Sequence, residues 1–595
     1  MKKTNKLENL SFKLAAVAQG LEFADLVIHN VKLVNVNTHE IQENLDIAVT
    51  SGRIAYIGDA RHAIGKETKV VDAGGLYALP GFIDGHIHVE SSMMTVSEYA
   101  KTVIPHGTTA IMADPHEIAN VLGPKGIELM LDDGANTPFR FFVALPSCVP
   151  AVAAFEDAGA VVTPEDIDKL MVRPDVCGLG EMMNFPGILM GDKAMHKEVQ
   201  ITHAHNKTVT GHYSMPETDR GLNAYIATGI RCCHESTRKE DALAKMRLGM
   251  YVQVREGSAW RDLKEVIRAV TETNLDTRFV TLVSDDTHPD TLVTNGHMDH
   301  IVKRAIEEGV NPVTAVQMAT INVATCFHMD KDIGSIAPGK CADILLVSDL
   351  TKMAVESVYI QGAHVAEKGR MLIDIPSAPF PEWAKNTMNI DKFKAEDFTI
   401  KAPAGASGNV KTRVIEVIEA KVGTYAREIM LSVVEGEVKA DGKNGLLKVA
   451  VAERHKRTGT VGKGFVKGFT VINGAVASTV AHDAHNLQIV GDNDSDMALA
   501  ANALIDAGGG MVAVQNGEVL AVLPLPVAGL MAEESAEEIA AKVHKLDKAW
   551  KTLGCDMVSP FMTMALLPLS VLPELRLTNR GLVDTVNFKM TELFI

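Results

Sequence analysis

Between residues 79 and 285, eight short apolar runs recur, each closing on a polar side chain. They read LPGFIDGH (79–86), TTAIMAD (108–114), FRFFVALPS (139–147), VCGLGE (176–181), KTVTGH (207–212), IRCCHE (230–235), MYVQVRE (250–256) and RFVTLVSD (278–285), with helical patterns between them. A strand that is apolar almost throughout is buried on both faces, as in a parallel sheet covered by helices. Eight such units predict a (β/α)8 barrel over residues 79–328 of an α/β chain. Side chains that do chemistry in such a barrel collect at the C-terminal ends of its strands. Those ends carry His86, His88, Asp114, Glu181, His212, His234 and Asp285. After them, Asn311-Pro312 reads as the cap and first turn of a closing helix.

The flanks follow another rhythm. Residues 25–78 alternate apolar and polar positions between Asn, Gly and Asp turns, and 329–371 do the same. Two strand-rich pieces on either side of the barrel predict one discontinuous β-sandwich. Residues 1–24 are expected to form an amphipathic helical extension. Residues 372–400 hold several prolines without a period and are expected to be a linker. From 401 to 595 alternating strands return with two helical stretches, which predicts a separate α+β domain.

A chain of 595 residues exceeds one core, and roughly three or four domains are expected. The net charge of −17 argues against a nucleic-acid or membrane-surface partner and favours a small-molecule substrate. Seven scattered cysteines, two of them adjacent at Cys232 and Cys233, make a poor disulfide framework and fit a reducing cytoplasm. The N-terminus shows no signal-peptide core, and no stretch approaches the ~18 apolar residues of a membrane span. The composition is compatible with buried subunit faces, and a homo-oligomer, a dimer, is the expectation.

His86 and His88 are one residue apart, so on a strand they share a face and suit a divalent metal. His212 and His234, from two later strands, would hold a second ion, and Glu181 stands where a carboxylate would bridge the two. Asp285 would complete the first site. Two cations bring the pKa of a bound water toward neutrality, and Asp285 would take its proton as base and return it as acid. Each residue has a plainer reading: a histidine pair in a turn, a structural His212 or His234, Glu181 or Asp285 as helix caps. Asp286 competes with Asp285. The order of all six favours the metal site, and such ligands suit Zn, Fe and Mn alike. His116-Glu117-Ile-Ala-Asn120 lacks the second histidine of a zinc-protease helix. His88-Val-Glu90 is half of a nucleobase-deaminase signature, but no Pro-Cys-x-x-Cys follows. The glycines at 508–510 lack dinucleotide spacing and read as a turn. His482-Asp483-x-His485-Asn486 is either a hydrogen-bonded corner, a group reaching over the barrel mouth, or an accessory metal site.

His-x-His, Glu, His, His and Asp in this order, in a barrel with a split sandwich, resemble the amidohydrolase superfamily, as does GSIAPGKCAD (334–343). Within it, the chain is similar to the bacterial adenine deaminase family. The likeness rests on LPGFIDGHIHVESSMM (79–94), GTTAIMADPHEIANVLG (107–123), GLGEMMNFPG (178–187), VSDDTHPDTL (283–292), ERHKRTG (453–459) and ASTVAHDAHN (477–486), and covers nearly the whole chain. Many superfamily members bridge their metals with a modified lysine, and Glu181 stands in that place here. The resemblance implies hydrolysis of adenine to hypoxanthine and ammonia in purine salvage, with two divalent ions (Mn, Fe or Zn). A purine site needs polar groups for the ring nitrogens, and His116 and Glu117 are the candidates. Two rival readings are another amidohydrolase reaction on a cyclic amide or heterocycle, and a non-enzymatic interaction protein on the same scaffold.

Overall fold

The computed structural model describes residues 6–595 apart from 217, 259, 378 and 420, so the first five residues of the expected extension lie outside the described residues. Eight parallel strands form the barrel: Phe82–His88, Thr108–Ala113, Arg140–Leu145, Val176–Met182, Thr208–Gly211, Ile230–Cys233, Tyr251–Arg255 and Val280–Val283. The eighth breaks at Ser284, whose N–H and hydroxyl both turn to the buried Asp84 carboxylate. It resumes as Asp285–Asp286, which pairs with Ile87 and His88 of the first strand and closes the ring. Barrel closure and the placement of Asp285 beside the His-x-His pair are therefore one event.

The first run differs from its expected span of 79–86. It splits at Gly81: Tyr77–Pro80 pairs with Ile344–Val347 in the flanking sheet, and Phe82–His88 enters the barrel. A β-carbon at Gly81 would lie 2.2 Å from the Thr109 hydroxyl, so only glycine lets the chain pass from one sheet to the other here. The flanking strands, from Leu26–Asn35 to Arg370–Met371, hydrogen-bond into one nine-stranded sheet. It curls around a core of Ile28, Leu33, Ile47, Ile54, Leu346 and Tyr359. Helix Leu7–Ala18 lays Leu10, Leu14 and Val17 on its outer face. Pro312–Met318 closes the barrel, with the Asn311 side chain accepting from Val313 N–H.

Residues 372–400 do not run free. Asn389 bonds through its N–H to the Arg454 carbonyl and through its side chain to the His455 carbonyl, and Phe398 is buried in the C-terminal core. Proline removes helical and strand period, and packing then supplies the order. The C-terminal part holds a nine-stranded, mostly antiparallel sheet covered by Asp494–Ala507, a three-stranded sheet, and the helix Ala536–Thr552. Its core is continuous with the barrel's: Ala532 N–H bonds to the Met93 carbonyl just past the first barrel strand.

Trp550 pins this layer, buried between Phe469 and Phe561 at ring distances of 5.8 and 5.3 Å. Trp550→Ala is expected to cost about 3–5 kcal/mol in the transition reporting the C-terminal layer. Urea unfolding followed by domain-resolved proteolysis checks this; an unmoved midpoint would show that the layer is anchored elsewhere.

Candidate metal centre and active site

The first strand delivers two imidazoles, with His86 and His88 only 2% and 4% exposed. His88 Nδ1 lies 2.8 Å from the Asp114 carbonyl oxygen. A carbonyl only accepts, so Nδ1 carries the proton and Nε2 presents a lone pair to the centre. Nε2 stands 3.6 Å from Glu181 Oε1 and 3.4 Å from Asp285 Oδ1. His86 Nε2 lies 3.6 Å from the same Asp285 oxygen and, though buried, has no hydrogen-bond partner among the described residues.

Glu181 ends the fourth strand. Its Oε2 is 2.6 Å from His212 Nδ1 and 3.0 Å from His234 Nε2, and those two ring nitrogens are 3.1 Å apart. Its Oε1 is 3.1 Å from His116 Nδ1. Ring nitrogens from three strands and from the helix after the second thus converge on carboxylate oxygens. This donor set is the one a divalent cation takes, and the unpartnered His86 Nε2 fits the same reading. Burial pushes the Glu181 carboxyl up, but the His212 charge and hydrogen bonds from His116 and His234 outweigh it and hold it well below the usual range. Asp285 behaves alike: burial raises it, and His86 and His88 overcome that. The Glu181 backbone is itself tethered, its N–H donating to Asp114 Oδ2 at 2.7 Å. A β-carbon at Gly180 would lie 2.5 Å from that carboxylate, which explains the glycine before Glu181. Asp285 adopts φ +60°, a left-handed conformation that aspartate tolerates at some cost and that turns its carboxylate inward.

Sequence reasoning missed two residues. Arg255 ends the seventh strand, with Nη1 3.2 Å from Asp285 Oδ2 and its guanidinium also paired with Glu235 and Asp262. Glu235 lies 3.7 Å from His212 Nε2. Burial raises its carboxyl, and Arg255 and His212 bring it down to about 2. The signal was present in position: Arg255 closes an apolar run, and Glu235 follows His234 directly.

Other expected residues separate. His116, His482 and Asp483 line the cavity together with Asp286. Glu117 does not. It is 1% exposed behind the first strand, with Oε1 3.1 Å from Ser91 Oγ and Oε2 3.9 Å from His88 Nδ1. Ser91 also donates to Asp286. His485 is fully buried inside its loop, where its Nδ1 accepts the Ala481 N–H. The cavity's far wall is apolar: Trp260 and, from the C-terminal part, Val422, Leu566, Leu569 and Leu572.

A (β/α)8 barrel with four histidines and two carboxylates gathered at its strand ends defines a metal-dependent hydrolase of the amidohydrolase class, and residues 77–365 match the model of the amidohydrolase family. Residues 421–589 match the adenine deaminase C-terminal domain. The chain is 58% identical over 593 residues to an adenine deaminase of Clostridium botulinum (strain ATCC 19397 / Type A), covering 100% of this chain and 99% of that protein. It is 55% identical over 588 residues to one from Moorella thermoacetica (strain ATCC 39073 / JCM 9320), covering 99% and 98%. For one from Mesorhizobium japonicum (strain LMG 29417 / CECT 9101 / MAFF 303099) the figure is 48% over 585 residues, covering 98% and 96%. The chain belongs to the adenine deaminase family.

Removing the metal should leave four imidazoles and two carboxylates crowded without a cation, so chelation is expected to lower the melting temperature by several degrees. Glu181→Ala should lower the metal bound by the protein, measured by elemental analysis. Full metal content in that variant would exclude Glu181 from the ligand set.

Proposed function

We propose that this chain hydrolyses adenine to hypoxanthine and ammonia at a centre for two divalent cations (Mn, Fe or Zn). His86, His88 and Asp285 would hold one, His212 and His234 the other, and Glu181 both. The observation that carries this reading is the division of the Glu181 carboxylate: Oε1 faces His88, and Oε2 faces His212 and His234. The substrate follows from the relatives, which carry the name adenine deaminase along the full length of this chain. Divalent cations held there would acidify water enough to supply hydroxide at neutral pH.

The side chains do the rest. Asp285 accepts the proton of the attacking water as its oxygen bonds to C6 of adenine. Asp285 passes that proton to N1 as C6 becomes tetrahedral. It then takes the second water proton from the new C6 hydroxyl and gives it to the departing amine as the C6–N6 bond breaks, leaving hypoxanthine and ammonia. Arg255, 3.2 Å from Asp285 Oδ2, holds that carboxylate ionised and oriented. His116 meets the purine from the wall, and Glu117 positions His88 and Ser91 from behind. The burial of all seven cysteines as free thiols supports a reducing, cytoplasmic setting, and the name the relatives carry supports a place in purine salvage. Among the described residues no helix is long and apolar enough to cross a membrane. The edge strand Glu518–Pro524, exposing Val519, Leu520 and Val522, supports a homodimer.

Ammonia release from adenine by metal-loaded protein is the direct assay, with cytosine, guanine and hydantoin as comparisons. Asp285→Asn is expected to lower kcat by about 10²–10⁴-fold with the fold retained. Near-normal turnover at full metal content would remove Asp285 from proton transfer.

A further inference from the structure

The loop 479–486 leaves strand Gly474–Ser478 of the C-terminal sheet and reaches the barrel mouth before strand Leu487–Gly491 begins. Asp483 is 2% exposed there, and among the described residues no group donates to its Oδ2. Its Oδ1 lies 3.6 Å from His116 Nε2 and 3.8 Å from His482 Nδ1. Other buried carboxylates of this domain are satisfied by backbone. Glu453 accepts the N–H groups of Lys456 and Thr458 at 2.7 and 3.0 Å, and Asp496 accepts that of Gly517 at 2.8 Å. A buried acceptor left unpaired is costly, so the contrast marks Asp483 Oδ2 as an acceptor open to a partner that is not protein.

The loop that carries it is held from every side. The fully buried Arg454 donates to the His485 and Ala528 carbonyls, His455 Nε2 lies 2.7 Å from the Ala484 carbonyl, and His482 N–H bonds to the Ala565 carbonyl. The Asn486 amide reaches the barrel loop at the Asp157 carbonyl, 2.8 Å away. The Glu453-Arg454-His455 motif therefore exists to clamp the Ala481–Asn486 motif, and the result is a carboxylate preorganised at the mouth.

C6 of the substrate must face Glu181 and Asp285. Glu181, His116 and Asp483 stand in sequence, 3.1 Å and then 3.6 Å apart, so Asp483 lies one imidazole away from the reacting centre. The five-membered ring of the purine is fused on the side away from N1 and extends over that span. Its N–H is the only ring donor of neutral adenine. Leu566, Leu569 and Leu572 line the same cavity.

Resting on the deaminase reading above, we propose that Asp483 accepts a hydrogen bond from the five-membered-ring N–H of the base and so selects free adenine against N9-substituted purines, nucleosides included. An N9-substituted purine lacks the donor, leaves the buried Asp483 Oδ2 without one, and brings its substituent against the apolar lining. Sites built to bond a substrate N–H reject analogues without it by about 10⁴–10⁵-fold.

The test is steady-state kinetics of the metal-loaded full chain on adenine and 9-methyladenine. The native chain is expected to prefer adenine by at least about 10³-fold in kcat/KM. In Asp483→Ala that preference should collapse by about 10²-fold or more, through loss on adenine. Asp483→Asn, which keeps the volume and an amide oxygen, should fall between. Equal loss on both substrates, or an unchanged ratio in either variant, overturns the proposal, and melting temperature and metal content separate that result from misfolding. A native chain that releases no ammonia from adenine overturns the deaminase reading and this one together. A native chain active on adenine with an unaltered ratio in the variants overturns this one alone.

Discussion

One carboxylate organises this molecule. Glu181 collects His88, His116, His212 and His234, from the ends of separate barrel strands and one following helix, around two oxygens. Buried charge of this density is tolerable only when opposite charges face one another at close range. The histidines supply that for Glu181, and Arg255 supplies it for Asp285 and Glu235. The scaffold defends the arrangement at the backbone: Asp114 ties the Glu181 N–H, Gly180 makes room for Asp114, and the break at Ser284 turns Asp285 inward. The barrel closes where the site closes, so fold and centre are stabilised by the same contacts.

The C-terminal part completes the cavity rather than decorating it. The barrel alone offers polar ligands and an open mouth. Leucines 566, 569 and 572 make the apolar wall with Trp260 of the barrel, and the clamped loop adds two polar side chains, His482 and Asp483. An apolar wall excludes water and raises the strength of every charge interaction beneath it. That division of labour explains why the two parts share a continuous core and are tied by Ala532 to Met93 and by Arg580 to Asp157.

Much of this was legible in one dimension because parallel strands announce themselves. The eight runs are apolar on both faces, and a polar residue after such a run marks a strand end, so His86, His88, Glu181, His212, His234 and Asp285 could be placed at one rim. The illegible parts have physical causes. The run at 79–86 divides at Gly81 because two sheets share it, and hydrophobicity is the same on either side of the division. The stretch 372–400 lacks a period because its order comes from side-chain anchors such as Phe398 and Asn389. Arg255 and Glu235 were passed over because a charge beside a ligand is ordinary in sequence and decisive only when buried. His482, Asp483 and His485 read as one cluster, yet loop geometry sends the first two to the cavity and His485 into the loop interior.

The sequence by itself determined the class of fold, the rim on which the chemistry sits and the identities of the metal-competent side chains, because strand period and residue type are local properties. Tertiary structure decided which oxygen faces which imidazole, that Arg255 holds Asp285, that Glu117 stands behind His88, and that a loop about 150 residues beyond the barrel reaches its mouth. Those are distances between segments remote in sequence, set by packing, and no local pattern encodes them.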